Sequence, residues 1–355
     1  MSERNKDDDF SELTESTSGA YNPPRAPDFS NEEWRMSRDQ WQDLIMRSIT
    51  ENREVIDEEF NGFNLFLSPK AVEFIFTLCV RLQLPHEVRY LAVHLYDRYM
   101  SSQVVAIHNE IFTSDDDDQL KAERWGNALN RYYSQTVLRI VSCVSIAVKS
   151  LYYKLTLTTK MQYRILRSMN FLYDERAILK SETRVFSLVM FDIDMNRSPI
   201  FMIESHICFL LDQFREVVSS VDPEAIWEYS ILYTDFIYLN MKSFYCRLFR
   251  KIHGESAIIN TIEPARIWHL EADFVILSIS VVLMSFFALY GDEMTQKVAV
   301  LFKTHIGIDL QEMSEFVTVA RDMIMEYEPE TPTIFLPEEL LGLKKVTASY
   351  SPGFF

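Results

Sequence analysis

From Trp41 onward, apolar residues recur with the period of an α-helix, and no sustained period-2 alternation typical of strands follows. In the segment 87–100, apolar residues fall at i, i+3, i+4 and i+7: Val88, Leu91, Ala92, Leu95, Tyr96 and Tyr99. Pro85 precedes this segment, and Ser68-Pro69 precedes the apolar segment before it; both are helix start signals. The sequence therefore predicts an all-α fold.

Breaks in the helical pattern predict the domain organisation. Residues 1–37 are acidic and polar, with too few apolar side chains to offset the entropy of ordering them. Pro199 and its polar neighbours interrupt the series near its middle, which favours two halves of about five helices each. We predict a flexible, disordered acidic tail (1–37), two tandem five-helix bundles (38–195 and 196–328), an enlarged solvent-exposed loop in the first bundle (101–135) and a C-terminal tail (329–355).

Composition argues against several function classes. The 52 acidic and 35 basic residues give a formal charge of −17, which disfavours direct nucleic-acid binding. Only 8 glycines are present, so Gly-rich phosphate-binding turns have little material. The four cysteines are far apart and lie in apolar helical stretches, which indicates buried thiols in a reducing compartment. No nucleotide-binding, hydrolase or metal motif is present, so we expect a non-enzymatic protein with no cofactor or metal.

One apolar run, 274–289, approaches the length of a membrane helix. It falls slightly short, follows Glu271 and Asp273, and has no flanking cluster of Lys or Arg. We therefore expect a helix buried on all sides in a globular core, and no membrane partner. The polar, acidic N-terminus likewise lacks the features of a signal or transit peptide.

One carboxylate interrupts an apolar helix face. Glu182 lies three residues after Leu179 and four before Phe186, so its side chain must be paired, neutralised or turned away from the core. Lys149, near the end of the apolar helix 136–151, is a plausible partner across a helix contact. Two interpretations follow. The pair is either a buried structural ion pair or a charged pair amid apolar residues that offers hydrogen bonds to another protein.

Three segments resemble the cyclin family. LPHEVRYLAVHLYDRYMSS resembles the second helix of a cyclin box, CVSIAVKSLY the third and LKSETRVFSLVMFDI the fifth, with Lys149 and Glu182 on the family's kinase-contacting Lys and Glu. The resemblance covers about residues 66–326 and implies two cyclin boxes and a regulatory subunit of a cyclin-dependent kinase. It further implies that Lys149 and Glu182 would bond to kinase main chain, beside an apolar patch of Ile146, Phe186, Phe191 and Ile193.

Four further segments resemble the meiotic, crossover-associated branch of the cyclins: LRIVSCVSIAVKS, EADFVILSISVVLMSFF, GIDLQEMSEFVTVARDMI and PEELLGLKKVTAS. That likeness implies a role in crossover designation and maturation on meiotic chromosomes in the nucleus, with a crossover-specific mismatch-repair-like complex as a second partner. Two departures from the family are present. The substrate-docking arginine is missing from segment 67–74, which argues against substrate docking of that type, and Ser150 stands where many cyclins carry an aromatic at the kinase contact, which argues against ordinary kinase affinity. A cyclin-fold scaffold that binds recombination or transcription factors, or an unrelated α-solenoid, remains open.

Overall fold

The computed structural model describes residues 27–30, 36–57, 67–152, 156–190, 193, 198–254 and 264–327. This part of the chain is helical and contains no strand, which confirms the predicted all-α fold. Of the predicted N-terminal tail, 1–37, only residues 27–30, 36 and 37 belong to the described residues. The predicted C-terminal tail, 329–355, lies outside them. In chain order its helices are α1 (Arg38–Asp57), α2 (Pro69–Arg81), α3 (His86–Phe112), α4 (Asp118–Ser134), α5 (Thr136–Leu151), α6 (Thr159–Ser168), α7 (Glu175–Leu188), α8 (Pro199–Gln213), α9 (Pro223–Leu239), α10 (Met241–His253), α11 (Pro264–Glu271), α12 (Phe274–Ile306) and α13 (Leu310–Glu326).

The helices group into two compact units. Unit 1 holds α2 to α7, and unit 2 holds α1 together with α8 to α13; the divisions fall between residues 60 and 61 and between residues 195 and 196. The position of α1 differs from the sequence prediction, which assigned it to the first bundle. Its buried face carries Trp41, Ile45 and Ile49, and the Trp41 indole donates a hydrogen bond of 2.7 Å to Asp212 of α8. The apolar spacing of an amphipathic helix shows which of its faces is buried but not which helices cover that face, so the sequence could not make this assignment.

Unit 1 is built around α5. Every residue from Thr136 to Val148 is buried, because α5 packs against α2, α3 and α7 as well as its chain neighbours. Helix α2 begins as predicted: the Ser68 hydroxyl accepts a hydrogen bond of 3.1 Å from the Ala71 amide, and Pro69 occupies the first turn. Burial of a helix on all sides favours apolar or small side chains, and apart from Arg139 the buried residues of α5 are of these kinds.

The predicted loop at 101–135 is wrong. Helix α3 continues to Phe112 and α4 begins at Asp118, which leaves a connection of only 113–117. The acidic run that suggested a solvated loop is in part a helix start, since the Asp117 carboxylate accepts a hydrogen bond of 2.7 Å from the Leu120 amide. Unit 1 therefore has α4 in addition to the five helices expected.

Aromatic contacts hold α4 against the second half of α3. The buried Tyr132 ring stacks on Tyr99 with 6.4 Å between centroids, and its hydroxyl donates a hydrogen bond of 3.1 Å to the Met100 carbonyl. Nearer the connection, Trp125 makes an edge contact with Phe112 at 6.0 Å. A few large rings supply the burial that would otherwise need a continuous apolar stripe, which is why the sequence pattern of α4 is weak.

The core helix of unit 2 is α12. Residues 274–286 are all buried, as expected, whereas the last three residues of the apolar run are not, and Phe287 is 40% exposed. Among the described residues, α12 alone is long and apolar enough to cross a membrane by itself; 72% of its apolar window is buried. The α4–α5 pair passes that test only jointly, with a 54° bend. In α12, Gly291 has φ 76° and ψ −174° and interrupts the helix, so the apolar part before it is about 26 Å long, against the ~30 Å of a bilayer core.

Candidate functional site

Helices α5 and α7 bring the two predicted charged residues together. They pack side by side along a polar seam in which the Ser142 and Ser181 hydroxyls lie 2.7 Å apart. Arg139 adds a hydrogen bond of 2.7 Å to the Ser181 hydroxyl. The start of α7 is fixed by Asp174, whose carboxylate accepts a hydrogen bond of 2.7 Å from the Ala177 amide. This packing places the last turn of α5 beside the middle of α7.

The expected ion pair forms at this point. The Lys149 ammonium lies 2.8 Å from Glu182 Oε1 and 3.0 Å from Oε2. The two partners differ in exposure: 43% of the Lys149 side chain is accessible to solvent, against 12% of Glu182. The pair is therefore not enclosed in the core. It lies at the surface with its carboxylate turned inward and its ammonium outward.

Gln162 on α6 completes the arrangement, and sequence reasoning missed it. Its side chain is fully buried, and its amide nitrogen lies 2.9 Å from Glu182 Oε1, 2.9 Å from the Ser145 hydroxyl and 3.2 Å from the Leu157 carbonyl. The amide thus fixes the carboxylate from the core side while Lys149 fixes it from outside. The signal was available, because Gln162 lies three and four residues before the buried pair Ile165 and Leu166, on an otherwise apolar face.

Apolar side chains flank the ion pair on α7. Leu179 is 49% exposed, Phe186 is half-buried and Met190 is 75% exposed. Leu179 and Phe186 form with Glu182 a stripe at helical spacing, here called the α7 stripe, whereas Met190 follows the end of the helix at Leu188 and has a left-handed backbone, with φ 54°. The sequence interpretation assigned Leu179 and Phe186 to the core face; in the structure that face is instead lined by Ile178, Ser181, Val185 and Val189. Glu182 therefore lies at the edge of the core rather than in its middle.

The remaining predicted site residues differ in accessibility. Ile146, one turn before Lys149 on α5, is only 7% exposed, and Ile193 is half-buried. Phe191 lies outside the described residues. Ser150 is half-buried, and its hydroxyl donates a hydrogen bond of 2.8 Å to the Ile146 carbonyl rather than presenting a ring. Two residues further on, the Tyr152 hydroxyl donates a hydrogen bond of 3.2 Å to the Glu87 carboxylate.

The described residues contain no group of three or more His, Cys, Asp or Glu side chains that could hold a metal ion. Of the four thiols expected to be buried, Cys79 and Cys143 of unit 1 are buried, whereas Cys208 and Cys246 of unit 2 are half-buried. Burial raises the pKa of Cys79 to about 12 and that of Cys143 as well. A thiol with such a pKa has almost no nucleophilic thiolate at neutral pH. At the α5–α7 surface, the side chains offer hydrogen bonds and apolar contact.

Comparison with known proteins identifies a domain that covers the helices of unit 1 and also the second half of α1. The family model for the cyclin N-terminal domain matches residues 47–194, a range that includes Lys149, Gln162 and Glu182. The chain is also similar to Cyclin N-terminal domain-containing protein 1 of Homo sapiens, with 22% identity over 275 residues, 78% of this chain and 81% of the relative. The Mus musculus protein of the same name is 21% identical over 276 residues, 78% of this chain and 80% of the relative. Residues 47–194 therefore match the cyclin N-terminal domain, and the chain is similar over 78% of its length to two proteins named after that domain.

Proposed function

We propose that this protein is a non-catalytic regulatory subunit that binds a cyclin-dependent kinase through the α5–α7 surface. The observation that carries the proposal is the Lys149–Glu182 pair, which is held in place before any partner arrives. A lysine ammonium has three donor hydrogens and a carboxylate about four acceptor positions, so both groups keep hydrogen-bonding capacity beyond their mutual contact. Main-chain carbonyl and amide groups of a docked helix or loop would use that capacity.

The α7 stripe provides the apolar part of the same surface. Leu179 and Phe186 lie on either side of Glu182, so a docked segment would exclude water from the ion pair. Charge-assisted hydrogen bonds gain strength in such a desolvated centre. In the cyclin resemblance the docked segment is the kinase C helix, which is turned inward so that the kinase's own Lys–Glu pair forms. Ile193 and Phe191 would extend the patch, whereas the buried Ile146 would support it from below.

We further propose that the complex acts in the nucleus, on meiotic chromosomes, in designation and maturation of crossovers. A crossover-specific mismatch-repair-like complex would be its second partner, and unit 2 would serve as the second cyclin box. The support is the likeness of this chain to the meiotic branch of the cyclins and its similarity to the two relatives over 78% of its length. Mass spectrometry of proteins recovered with the chain from meiotic cells tests this part of the proposal.

Kinase binding is tested with a panel of purified cyclin-dependent kinases. For the kinase that binds most tightly, Lys149→Ala or Glu182→Ala should each weaken binding by about 2–5 kcal/mol, roughly 30-fold or more. Lys180→Ala and Glu175→Ala remove the same charges from exposed positions of α7 and serve as matched controls. Equal affinity for wild type and both pair variants would remove the assigned role.

A second function, a scaffold that activates no kinase, is favoured by one specific observation. The Ser150 hydroxyl donates its hydrogen bond to the Ile146 carbonyl, and this residue has no aromatic ring for the kinase contact. If the protein is such a scaffold, recombination factors but no kinase should be recovered with it from meiotic cells. Glu182→Ala should leave that recovery unchanged. Replacing Ser150 by Tyr should then create kinase affinity where wild type has none.

A further inference from the structure

A cavity of about 490 Å³ opens within unit 1. It is lined by the second half of α3, by α4, by the start of α5 and by the second half of α7. Its charged lining is dominated by arginine: Arg124, Arg131, Arg139 and Arg184 against the single carboxylate of Glu110. Such a concentration of positive charge is unexpected in a chain whose net charge is −17. The cavity exists because α4 packs against α3 in the region predicted to be a loop.

Arg139 is the least accessible of these arginines. Its residue is 7% exposed, and within the described part of the chain the hydrogen-bond partners of its guanidinium are neutral. One nitrogen donates a hydrogen bond of 2.7 Å to the Ser181 hydroxyl, and the other terminal nitrogen donates one of 2.7 Å to Gln135 Oε1. The Tyr99 ring lies 5.6 Å from its central carbon. A buried cation without a counter-ion is costly, so the cavity favours an anion.

A second guanidinium is held by a neutral partner on another helix. Arg184 of α7 donates a hydrogen bond of 2.9 Å through Nε to Gln103 Oε1, which also accepts one of 3.4 Å from the Tyr99 hydroxyl. Because Gln103 is buried on α3, this contact orients Arg184 and leaves its terminal nitrogens for another acceptor. Arg131 is exposed on α4, whereas Arg124 already shares the Asp116 carboxylate.

We propose that this cavity binds the phosphate group of a phosphorylated serine or threonine in a peptide. The planar fork of arginine matches phosphate oxygens, and a phosphoryl group carries about −1.5 to −2 charges, enough to compensate several guanidinium groups from different helices. The volume accommodates a phosphorylated side chain with its neighbours. A nucleic acid is disfavoured because the overall charge of −17 would repel a long phosphate backbone.

The cavity is separate from the proposed kinase surface. Arg184 follows Glu182 by two residues, which is about 200° around an α-helix, so the two side chains leave α7 on different sides. Phosphopeptide binding therefore does not depend on kinase binding. Two sources could supply the same chemistry: another protein, or this chain's own Thr331-Pro332 and Ser351-Pro352, proline-directed dipeptides that lie outside the described residues.

The test measures fluorescence anisotropy of labelled peptides with the full chain. One probe is a degenerate peptide pool with a fixed phosphoserine or phosphothreonine; a second is the peptide of residues 326–337 phosphorylated at Thr331. At least one phosphorylated probe should bind tenfold or more tightly than its unphosphorylated form. Tighter binding of the Thr331 peptide than of the pool would identify the chain's own tail as the source, and the reverse would exclude Thr331 as the source.

The variants use exposed residues, so that loss of binding is not loss of folding. Arg131→Gln with Arg184→Gln should weaken the phosphorylated probe at least tenfold, and the corresponding Lys variants should lose less. Arg164→Gln with Arg176→Gln, at exposed positions of α6 and α7, should change nothing. Equal binding with and without the phosphate, or an unchanged affinity of the Arg131/Arg184 variant, would overturn the proposal. Tighter binding of single-stranded DNA, lost in that variant, would replace it with nucleic-acid binding.

Discussion

Replacement of Gln162 by Leu tests whether the buried amide holds the Glu182 carboxylate. The substitution removes a hydrogen bond to a charged group, worth about 1.5–3 kcal/mol, and one to the Ser145 hydroxyl, worth about 1 kcal/mol. Two effects offset part of this loss. The Leu157 carbonyl keeps its contact of 3.3 Å with the Ser145 hydroxyl, and Gln162 Oε1, which accepts no hydrogen bond from the described residues, is replaced by apolar atoms. We expect unit 1 to lose about 2 kcal/mol of stability.

The assay must report on unit 1 by itself, because a chain with two compact units need not unfold in one step. Cys79 and Cys143 are 1% and 0% exposed and both lie in unit 1, so their labelling by a thiol reagent in increasing urea reports its unfolding. Mass spectrometry of the labelled peptides gives the midpoint for each variant. Gln119→Leu, at an exposed position of α4, is the control and should stay within about 0.5 kcal/mol. A loss below that value for Gln162→Leu would refute the assigned role of the amide.

Three further outcomes are expected. Burial lowers the pKa of His206 to about 3, against 6.5 in the unfolded chain, so the unfolded chain binds more protons between those two pH values. Unit 2 should therefore lose about 2 kcal/mol of stability from pH 7 to pH 5. Hydrogen exchange of α8 would detect this loss, and His206→Gln should abolish it. Gly291→Ala forces a side chain into a backbone region that only glycine adopts readily and should lower the free energy of unfolding by about 1–3 kcal/mol. Gly126→Ala, inside a helix with open space around it, should raise that free energy by about 0.5–1 kcal/mol; thermal unfolding measures both changes. Asp117→Ala should cost about 1 kcal/mol and speed hydrogen exchange at the start of α4, while Asp115→Ala should change neither.

The sequence predicted those elements whose signals are local. The Ser68-Pro69 start of α2 and the burial of 274–286 follow from the chemistry of neighbouring residues, and both are present. The course of 101–135 could not be predicted from apolar spacing, since α4 is held by rings such as Tyr132 against α3. The location of α1 was equally inaccessible, because an apolar face does not specify which unit covers it.

The candidate site divides in the same way. The Lys149–Glu182 pair was predictable, because a carboxylate beside apolar residues demands a partner and one cation stood at the end of the neighbouring core helix. Gln162 was within reach of the same argument. The arginine cavity was not, since its guanidinium groups come from α4, α5 and α7 and meet only in the folded unit.

The unequal exposure of Lys149 and Glu182 affects what association at this surface would cost. Glu182 loses most of its hydration when the chain folds, because Gln162 and Lys149 replace the water around it. An incoming protein would therefore need to strip solvent mainly from one ammonium group, and the acceptor beside it would need no reorientation. Preorganisation of this kind lowers the entropic and dehydration costs of complex formation, so much of the work of recognition is completed during folding.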